Sequence, residues 1–334
     1  MELVKQVIGI DISKDTFDAC LGTITEQQEQ RLVATASFSN NRRGFARLLR
    51  WFEKLAADAP VWFVMEATGV YYEPLAYFLH EHGHPVVVVL PNKISHFAKT
   101  LEVKSKTDRL DAWIIAQYGL GRALEAWQPP SETFRELKEL VREHLTVQKL
   151  LVEVQNHLHA KQHAQHAGRS TLDRLQAQSA LFQRQLASIE EEIHAVVDQD
   201  PDLKNRIGHI VSIKGVGFMT AVTLAGETNG FAMVRSAKQL ASYAGLDVAL
   251  RQSGKHTGRA TISKRGNRFI RTALYMPAIA AARFNPHLRP LYQRLVDRKA
   301  NKKLALIAVA RKLLCLSFTL WKNNTDYDPK YGIV

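Results

Sequence analysis

The chain has 334 residues, of which 46% are hydrophobic, and it carries a net charge of +13. This length predicts at least two domains, and the hydrophobic share excludes a disordered protein. We expect no signal peptide and no apolar run long enough to cross a bilayer. Two widely separated cysteines, Cys20 and Cys315, exclude a disulfide framework and a cysteine-rich zinc site. The composition therefore favours a cytoplasmic protein without a membrane partner.

The positive charge, with an isoelectric point near 9.7, indicates a polyanionic partner, most often nucleic acid. Charge alone does not separate DNA from RNA. A basic enzyme without such a partner is the alternative interpretation.

Residues 5 to about 125 show the pattern of an α/β domain. Apolar, β-branched runs predict strands and amphipathic spacing predicts helices, in the order strand, strand, strand, helix, strand, helix, strand, helix. The predicted strands are 7–13, 16–21, 33–38, 61–65 and 85–90. The first helix is predicted at 41–57, with Asn40 or Asn41 as its N-cap. Hairpin strands followed by βα units predict a mixed sheet flanked by helices.

The pattern of residues 132–197 is helical throughout. Apolar residues recur at spacings of three, four or seven on either side of a break at 168–170. This predicts an antiparallel helical hairpin or a coiled-coil arm. A spacer, an oligomerisation surface and an RNA contact are all compatible with such an arm.

From residue 201 onward, the sequence predicts a mainly α-helical region. A glycine-rich turn at 213–220 followed by a helix is typical of helix-hairpin-helix modules, whose backbone N–H groups bind DNA phosphate. A helix that packs tightly on the turn would need similar glycines. An Ala-rich helix is predicted at 269–283 and a basic amphipathic helix at 299–321.

Asp11 lies inside the most apolar part of the first predicted strand. Alternation assigns the strand residues to two faces, Ile8, Ile10 and Ile12 against Val7, Gly9, Asp11 and Ser13. A buried carboxylate is costly unless a metal ion or a cation meets it. The flanking isoleucines therefore favour a metal ligand over an edge or turn carboxylate.

Three more carboxylates would complete a metal site. Glu66 follows the strand 61–65, and Asp108 and Asp111 begin a helix at 107–120, where a spacing of three places them on one face. Each has an ordinary alternative, as a strand-terminal carboxylate, part of a capping box or a solvated helix residue. If all four converge, they form an oxygen-rich pocket that suits Mg²⁺ in phosphodiester chemistry.

The segment 251–268 contains three glycines, many cations and no acidic residue, which suits a loop that wraps phosphates. Ser253 precedes a glycine among cationic neighbours, where an oxyanion would be stabilised. The alternative for both Ser253 and Ser263 is an ordinary loop or N-cap hydroxyl. The cations expected to bind nucleic acid are Lys214, Arg251, Lys255, Arg259, Lys264, Arg265, Arg268 and Arg271.

Seven motifs, in order, span nearly the whole chain. They are Gly-Ile-Asp-Ile-Ser-Lys at 9–14, Met-Glu-Ala-Thr-Gly at 65–69, Lys-Thr-Asp-Arg-Leu-Asp-Ala at 106–112, Gly-Val-Gly at 215–217, Gln-Leu-Ala-Ser-Tyr-Ala-Gly-Leu at 239–246, Arg-Gln-Ser-Gly at 251–254 and Ile-Ser-Lys-Arg-Gly-Asn at 262–267. In these motifs the chain resembles the DEDD transposases of the insertion-sequence one-ten family, which are bridge-RNA-guided recombinases of bacteria.

The resemblance implies three domains. These are an α/β, RNase H-like (RuvC-like) domain with a metal site at 1–128, a helical coiled-coil arm at 129–200, and a mainly α transposase domain with a helix-hairpin-helix-like turn at 201–328. The residues that match the family's Asp-Glu-Asp-Asp tetrad are Asp11, Glu66, Asp108 and Asp111. Ser253 matches the serine that forms a covalent 5′-phosphoserine bond with DNA. Some members have a longer Ser-Ser-Gly-Gly segment there, so Ser263 stays the alternative nucleophile.

The resemblance also implies Mg²⁺ as the cofactor, donor and target DNA as substrates, and a noncoding bridge RNA that pairs with both. It implies a homo-oligomer, from dimer to tetramer, in the bacterial cytoplasm and on the nucleoid when bound to DNA. We therefore predict an RNA-guided DNA recombinase. Two alternatives stay open: a Holliday-junction-resolvase-like nuclease that uses metal-bound water, and a noncatalytic nucleic-acid-binding protein.

Overall fold

The computed structural model describes residues 2–67, 69–101, 107–249, 252–253, 256–257, 261–299 and 301–330. The chain forms two compact units, Met1–Pro129 and Pro130–Val334. The three-domain division drawn from the sequence stays a prediction.

The first unit is built on a mixed five-stranded sheet. Its strands are β1 (Leu3–Ile12), β2 (Thr16–Thr25), β3 (Gln30–Ser39), β4 (Val61–Glu66) and β5 (Val86–Val89). They lie in the order β3-β2-β1-β4-β5; the pairs β1–β2 and β2–β3 are antiparallel, and β1–β4 and β4–β5 are parallel. The mixed sheet is as predicted and is consistent with an RNase H-like α/β domain.

Helices cover both faces of this sheet. They are α1 (Arg42–Glu53), α2 (Glu73–Glu81), α3 (Pro91–Ala98) and α4 (Asp108–Leu120), with a short 3₁₀ turn at Lys99–Leu101. Helix α3 was not expected from the sequence; Pro91 occupies its first turn, where a missing N–H costs no helical hydrogen bond. Helix α1 ends earlier than predicted, because the N–H and carbonyl of Ala57 bond to the side chain of Gln6 instead.

The two faces of β1 carry separate hydrophobic clusters. Ile8, Ile10 and Ile12 pack with residues of α1 and α2, whereas Val7 packs with residues of α3 and α4. The alternation predicted from the sequence therefore assigns these side chains correctly. Asp11 lies on the face that α4 covers.

Helix α4 lies unusually close to β1. A Cβ atom at Gly9 would come within 2.2 Å of the Ala112 carbonyl oxygen and 2.3 Å of the Ala116 nitrogen. At the other end of the helix, the Lys5 ammonium donates to the carbonyls of Gly119 and Arg122, each at 2.7 Å. The missing side chain at Gly9 therefore sets how closely the helix that carries Asp108 and Asp111 approaches the strand that carries Asp11.

The second unit is mainly α-helical among its described residues. Its helices are α5 (Glu132–Gln162), α6 (Arg169–Asp198), α7 (Pro201–Val211), α8 (Phe218–Thr228), α9 (Ala237–Tyr243), α10 (Arg268–Ala273), α11 (Tyr275–Phe284), α12 (Leu288–Lys299) and α13 (Lys302–Asn323). Its strands are β6 (Val248–Ala249), β7 (Gln252–Ser253), β8 (His256–Thr257) and β9 (Thr261–Ile262). Helices α5 and α6 pack against each other, and their description as a coiled-coil arm stays a prediction.

The glycine-rich turn between α7 and α8 packs closely on α11. Gly215 has a φ of +107°, and a Cβ atom there would lie 2.9 Å from the Ala281 nitrogen. Close packing, one of the two explanations for these glycines, is therefore present. Phosphate binding by a helix-hairpin-helix turn stays a prediction.

Two helices predicted in this region have different bounds in the structure. The single helix expected at 269–283 is divided at Leu274 into α10 and α11. Pro277 explains the break, because it has no N–H to bond the carbonyl of Ala273, which instead accepts from the Thr220 hydroxyl at 3.4 Å. The helix expected at 299–321 begins at Lys302, after the N-cap Asn301, whose side chain accepts from the Leu304 N–H at 3.0 Å.

Helix α13 contains a longer apolar run than the sequence analysis predicted. Within the described residues it is long and apolar enough to span a membrane by length and composition, so the expectation that no run reaches this length is wrong. Most of its buried residues, among them Val309, Leu313 and Leu320, belong to the hydrophobic core of the second unit. This packing is that of a core helix.

Replacing Gly9 with alanine should destabilise the protein by about 3 kcal/mol, because its Cβ must push α4 away from β1. The shift should also weaken divalent-metal binding, since Asp108 and Asp111 move with the helix. Urea unfolding and isothermal titration with Mn²⁺ measure the two effects. Gly208→Ala is the control, because a Cβ there meets nothing within 4 Å; equal behaviour of both variants would contradict the prediction.

Candidate active site

The ends of β1 and α4 bring three carboxylates together. Asp11 is the penultimate residue of β1, and Asp108 and Asp111 lie in the first turn of α4. One carboxylate oxygen of each lies within 4.8 Å of the other two. Asp11 and Asp111 are half-buried, and Asp108 is exposed.

The start of α4 is determined by a helix cap. Thr107 has an extended backbone, and its hydroxyl accepts a hydrogen bond of 3.3 Å from the N–H of Leu110. Thr107 therefore caps the helix, and Asp108 and Asp111 follow it in the first turn. The positive end of the helix dipole stabilises negative charge in this first turn.

Glu66 lies at the same edge of the sheet. It is the last residue of β4, which runs parallel to β1 with Met65 opposite Ile10. Glu66 is not among the three residues whose oxygens lie within 4.8 Å of one another. Its negative charge nevertheless contributes to the raised pKa of Asp11.

Sequence reasoning missed a fifth carboxylate, Asp18. It lies directly opposite Asp11 in the β1–β2 ladder and accepts a hydrogen bond from the Ser37 hydroxyl. Directly opposed residues of an antiparallel pair share a face of the sheet. The short connection between the two predicted strands, residues 14–15, was the signal that could have located it, because a tight hairpin fixes the register.

Asn40 holds the loop beyond β1 in place. Its amide group donates to the carbonyls of Ser13 at 3.0 Å and Tyr71 at 3.1 Å. These bonds join the end of β1 to the segment after β4. The two chain segments that follow Asp11 and Glu66 are thereby tied together.

The clustered charges alter the acidity of Asp11. Its pKa is raised from 3.8 to about 6, chiefly by burial and then by the negative charges of Asp111, Asp108, Glu66 and Asp18, in that order. Repulsion and desolvation both disfavour the ionised carboxylate. A bound cation would remove this cost.

The donor set fits a hard divalent ion. Mg²⁺ and Ca²⁺ prefer carboxylate oxygens at roughly 2.0–2.6 Å, so oxygens within 4.8 Å of one another can reach one ion. Asp11, Asp108 and Asp111 would hold it, with Glu66 at the same sheet edge.

The serine segment of the second unit forms two short ribbons. β6 pairs with β9, with Val248 opposite Ile262. β7 pairs with β8, and Ser253 is opposite His256 in that ladder. The segment expected to be a loop thus contains two antiparallel strand pairs in its described residues, and Ser253 is the last residue of β7.

The alternative nucleophile, Ser263, has a defined partner. Its hydroxyl donates to the Asp247 carboxylate at 2.5 Å, and its N–H donates to the Asp247 carbonyl at 2.9 Å. These bonds close the base of the β6–β9 ribbon. They give Ser263 a structural role, and the choice of Ser253 or Ser263 as nucleophile stays a prediction.

The cations predicted to bind nucleic acid divide into three groups. Lys214, Lys264, Arg265 and Arg268 are exposed. Arg271 is half-buried, and its guanidinium donates to the carbonyls of Ala244, Gly266 and Asn267. Arg251, Lys255 and Arg259 lie outside the described residues.

A buried carboxylate anchors the chain just after the serine segment. The Glu227 side chain is fully buried and accepts two hydrogen bonds from the Arg142 guanidinium, at 2.5 and 2.9 Å. It also accepts from the Asn267 amide at 2.6 Å, and the Tyr243 hydroxyl donates to its backbone carbonyl at 3.0 Å. Since Asn267 is the N-cap of α10, this network fixes the point where the segment rejoins the helical core.

Both units match known transposase sequences. Residues 8–162 match the DEDD transposase family of IS110 elements, and residues 208–293 match the transposase family of IS116, IS110 and IS902 elements. The first match contains all four predicted carboxylates, and the second contains Ser253 and Ser263. Together with the acidic cluster, the DEDD match indicates use of a divalent metal ion.

Similar whole proteins are also found. The chain is similar to pilin gene-inverting proteins of Moraxella lacunata, at 31% identity, and Moraxella bovis, at 30% identity. Both alignments extend over 330 residues and cover 98% of each chain. The chain is also 27% identical over 224 residues to an uncharacterised 43.6 kDa protein of insertion element IS110 from Streptomyces coelicolor, covering 65% of this chain and 53% of that one.

Replacing Asp11 with asparagine should stabilise the metal-free protein at pH 8, raising Tm by about 2–4 °C. The folded-state pKa of Asp11 is about 6 and its ordinary value is 3.8, so ionisation disfavours the folded state above pH 6. This cost, and hence the gain in Tm, should disappear as the pH falls from 6 towards 4. Mn²⁺ should raise the Tm of proteins with an intact site, the wild type and Asp58→Asn, but not that of Asp11→Asn. Asp58→Asn, at an exposed site, is the control; a metal-induced shift in Asp11→Asn would contradict the prediction.

Replacing Glu227 with glutamine should lower the unfolding free energy of the second unit by about 2–3 kcal/mol, because this fully buried side chain loses its two charge-assisted hydrogen bonds from the Arg142 guanidinium. Hydrogen exchange of the α10 amides should accelerate, since Asn267 loses its anchor. Glu191→Gln, at an exposed position of α6, should change neither quantity. Unchanged exchange in Glu227→Gln would contradict the anchoring role.

Proposed function

This chain belongs to the IS110 family of insertion-sequence transposases and recombinases, and from that premise we propose that it is a Mg²⁺-dependent, RNA-guided DNA recombinase. In this proposal it exchanges DNA strands through a covalent 5′-phosphoserine intermediate at Ser253. The observation that carries the proposal is the convergence of Asp11, Asp108 and Asp111 at the edge of the sheet.

The distribution of charge supports a nucleic-acid substrate for the second unit. The first unit has 14 lysines and arginines against 15 acidic residues, whereas the second has 31 against 17. Residues 203–325 contain 22 lysines and arginines and three acidic residues, Glu227, Asp247 and Asp297. Each of the three accepts a side-chain hydrogen bond within the protein. The exposed cations therefore have few carboxylate competitors for DNA or RNA phosphates.

The proposed chemistry is a pair of transesterifications. The Ser253 oxygen attacks the scissile phosphorus, forms a serine–phosphate ester and breaks the bond to the 3′ oxygen, which leaves as a hydroxyl with the serine proton. The 3′ hydroxyl of a partner strand then attacks the same phosphorus, and the serine hydroxyl is restored. One phosphodiester bond replaces another, so no nucleotide hydrolysis is needed. A Mg²⁺ ion held by Asp11, Glu66, Asp108 and Asp111 would polarise the phosphate.

We propose that a noncoding bridge RNA selects the DNA sites by base pairing with donor and target DNA. The protein then reads backbone and shape, using Lys214, Lys264, Arg265 and Arg268 together with Arg251, Lys255 and Arg259. We propose that it works as a homo-oligomer, up to a tetramer, in the cytoplasm on nucleoid DNA.

A metal nuclease that uses water instead of serine is the second candidate, because the carboxylate cluster alone suffices for it. The two pilin relatives are named for gene inversion, a rearrangement in which cut strands must be rejoined. A covalent intermediate preserves the phosphodiester for that rejoining, whereas hydrolysis discards it. This favours the serine mechanism.

The Ser253→Ala variant should form no covalent adduct with DNA while still binding it. Purified protein, Mg²⁺ and RNA transcribed from the noncoding flank are incubated with labelled donor and target DNA, and adducts are resolved on a denaturing gel. The wild type should give an RNA-dependent adduct. Asp11→Asn should give none, because the metal site is lost.

Ser263→Ala is the matched control and should retain the adduct. Loss of the adduct in Ser263→Ala but not in Ser253→Ala would transfer the nucleophile to Ser263. Cleavage with a free 5′ phosphate and no adduct would favour the water nuclease. Full activity of Asp11→Asn would favour a noncatalytic binding protein.

A further inference from the structure

The second unit contains an open cavity of about 800 Å³ that the proposed chemistry does not use. Residues of α5, α6, α8, α10, α11 and α13 line it. This volume falls within the roughly 300–1000 Å³ that small-molecule sites occupy. It admits a nucleobase with its sugar and phosphate, but not a base-paired duplex.

The lining of the cavity is cationic. Arg268, Arg271 and Lys303 contribute three positive charges, and Glu190 is the one carboxylate among the lining residues. The Glu190 carboxylate accepts a hydrogen bond of 2.9 Å from the Nε2–H of His144, which holds it in place. Within the described part of the chain, neither Arg268 nor Lys303 forms an ion pair with a carboxylate. Both are exposed and can meet a phosphate.

The lining of the cavity also includes two large, exposed side chains with apolar surface. Tyr275 is 48% exposed and Met276 is 67% exposed, although both lie beside a buried helical core. Together they form an exposed apolar patch beside the cationic side chains of the cavity. An aromatic ring and a thioether provide a surface on which any nucleobase can stack.

The lining of the cavity also offers hydrogen-bonding groups. Thr220 and Thr223 of α8 line it, as does His144, whose side chain is 10% exposed. The two hydroxyls donate to backbone carbonyls, Thr223 to Met219 and Thr220 to Ala273. Their oxygen lone pairs remain as acceptors for the amino groups of a base.

We propose that this cavity holds one unstacked nucleotide of the bound nucleic acid, an assignment that rests on the proposed function in taking nucleic acid as the partner. The base stacks on Tyr275 and Met276, and its phosphate pairs with Arg268 and Lys303. Arg268 begins α10, directly after the Asn267 cap that the buried Glu227 holds. A nucleotide bound here holds its strand next to Asn267, where the serine segment joins α10. An RNA bulge and an unpaired DNA position would each supply such a nucleotide, with an unstacked base and a backbone phosphate.

The test measures binding of the full-length protein, without Mg²⁺, to fluorescent 20-base-pair probes. Each probe is made as DNA and as RNA, fully paired or with one bulged 2-aminopurine. The bulged form of one nucleic acid should bind about tenfold more tightly than its paired form, and its 2-aminopurine emission should be quenched by stacking. The nucleic acid that shows this preference identifies the source of the nucleotide.

In Tyr275→Ala and in Lys303→Gln the ratio of bulged to paired affinity should fall to about one. Phe284→Ala and Lys302→Gln are matched controls, an exposed aromatic residue of the same helix and the neighbouring exposed lysine, and neither lines the cavity. Equal binding of bulged and paired probes by the wild type would overturn this inference alone. Failure to bind any probe would overturn the proposed function as well.

Discussion

The close contact between β1 and α4 at Gly9 determines the rest of the first unit. A strand and a helix normally keep a layer of side chains between them, but here the Ala112 carbonyl and the Ala116 nitrogen occupy the space of a Cβ atom. Because Asp111 immediately precedes Ala112, the same contact brings the first turn of α4 to Asp11. Burial of the Asp11 carboxylate and repulsion among the carboxylates both oppose this approach, as the raised pKa of Asp11 shows. Hydrophobic packing on both faces of the sheet must therefore outweigh them.

The second unit uses a related arrangement with a buried charge. Glu227 is fully buried, and its partners come from α5 and from the Asn267 cap of α10. Such a carboxylate is weak evidence for stability, since burying the charge offsets much of the attraction. What it provides is geometry, because hydrogen bonds to two elements fix their positions together. The hairpin that carries Ser253 is thereby attached to a defined point of the helical core.

Much of the first unit was predictable because its patterns are local. Alternation along β1 identified both faces, and the spacing of Asp108 and Asp111 identified one helical turn. Asp18 was missed because its role depends on strand register, a non-local property. The division at Leu274 was missed because an Ala-rich pattern outweighed Pro277. The segment 251–268 was predicted as a loop because ladders of two residues are too short to leave a periodic signal.

The two units differ in charge in a way that suits their proposed roles. A cluster of carboxylates repels phosphate, and the first unit has no excess of cations to compensate, with 14 against 15 acidic residues. Attraction to DNA must then come from the second unit, whose 31 cations face 17 acids. In the proposed recombinase, binding energy gained on cationic surfaces would hold a phosphate against carboxylates that repel it until a metal ion neutralises them. Binding and cleavage would therefore respond separately to salt and to metal, because different residues are responsible for each.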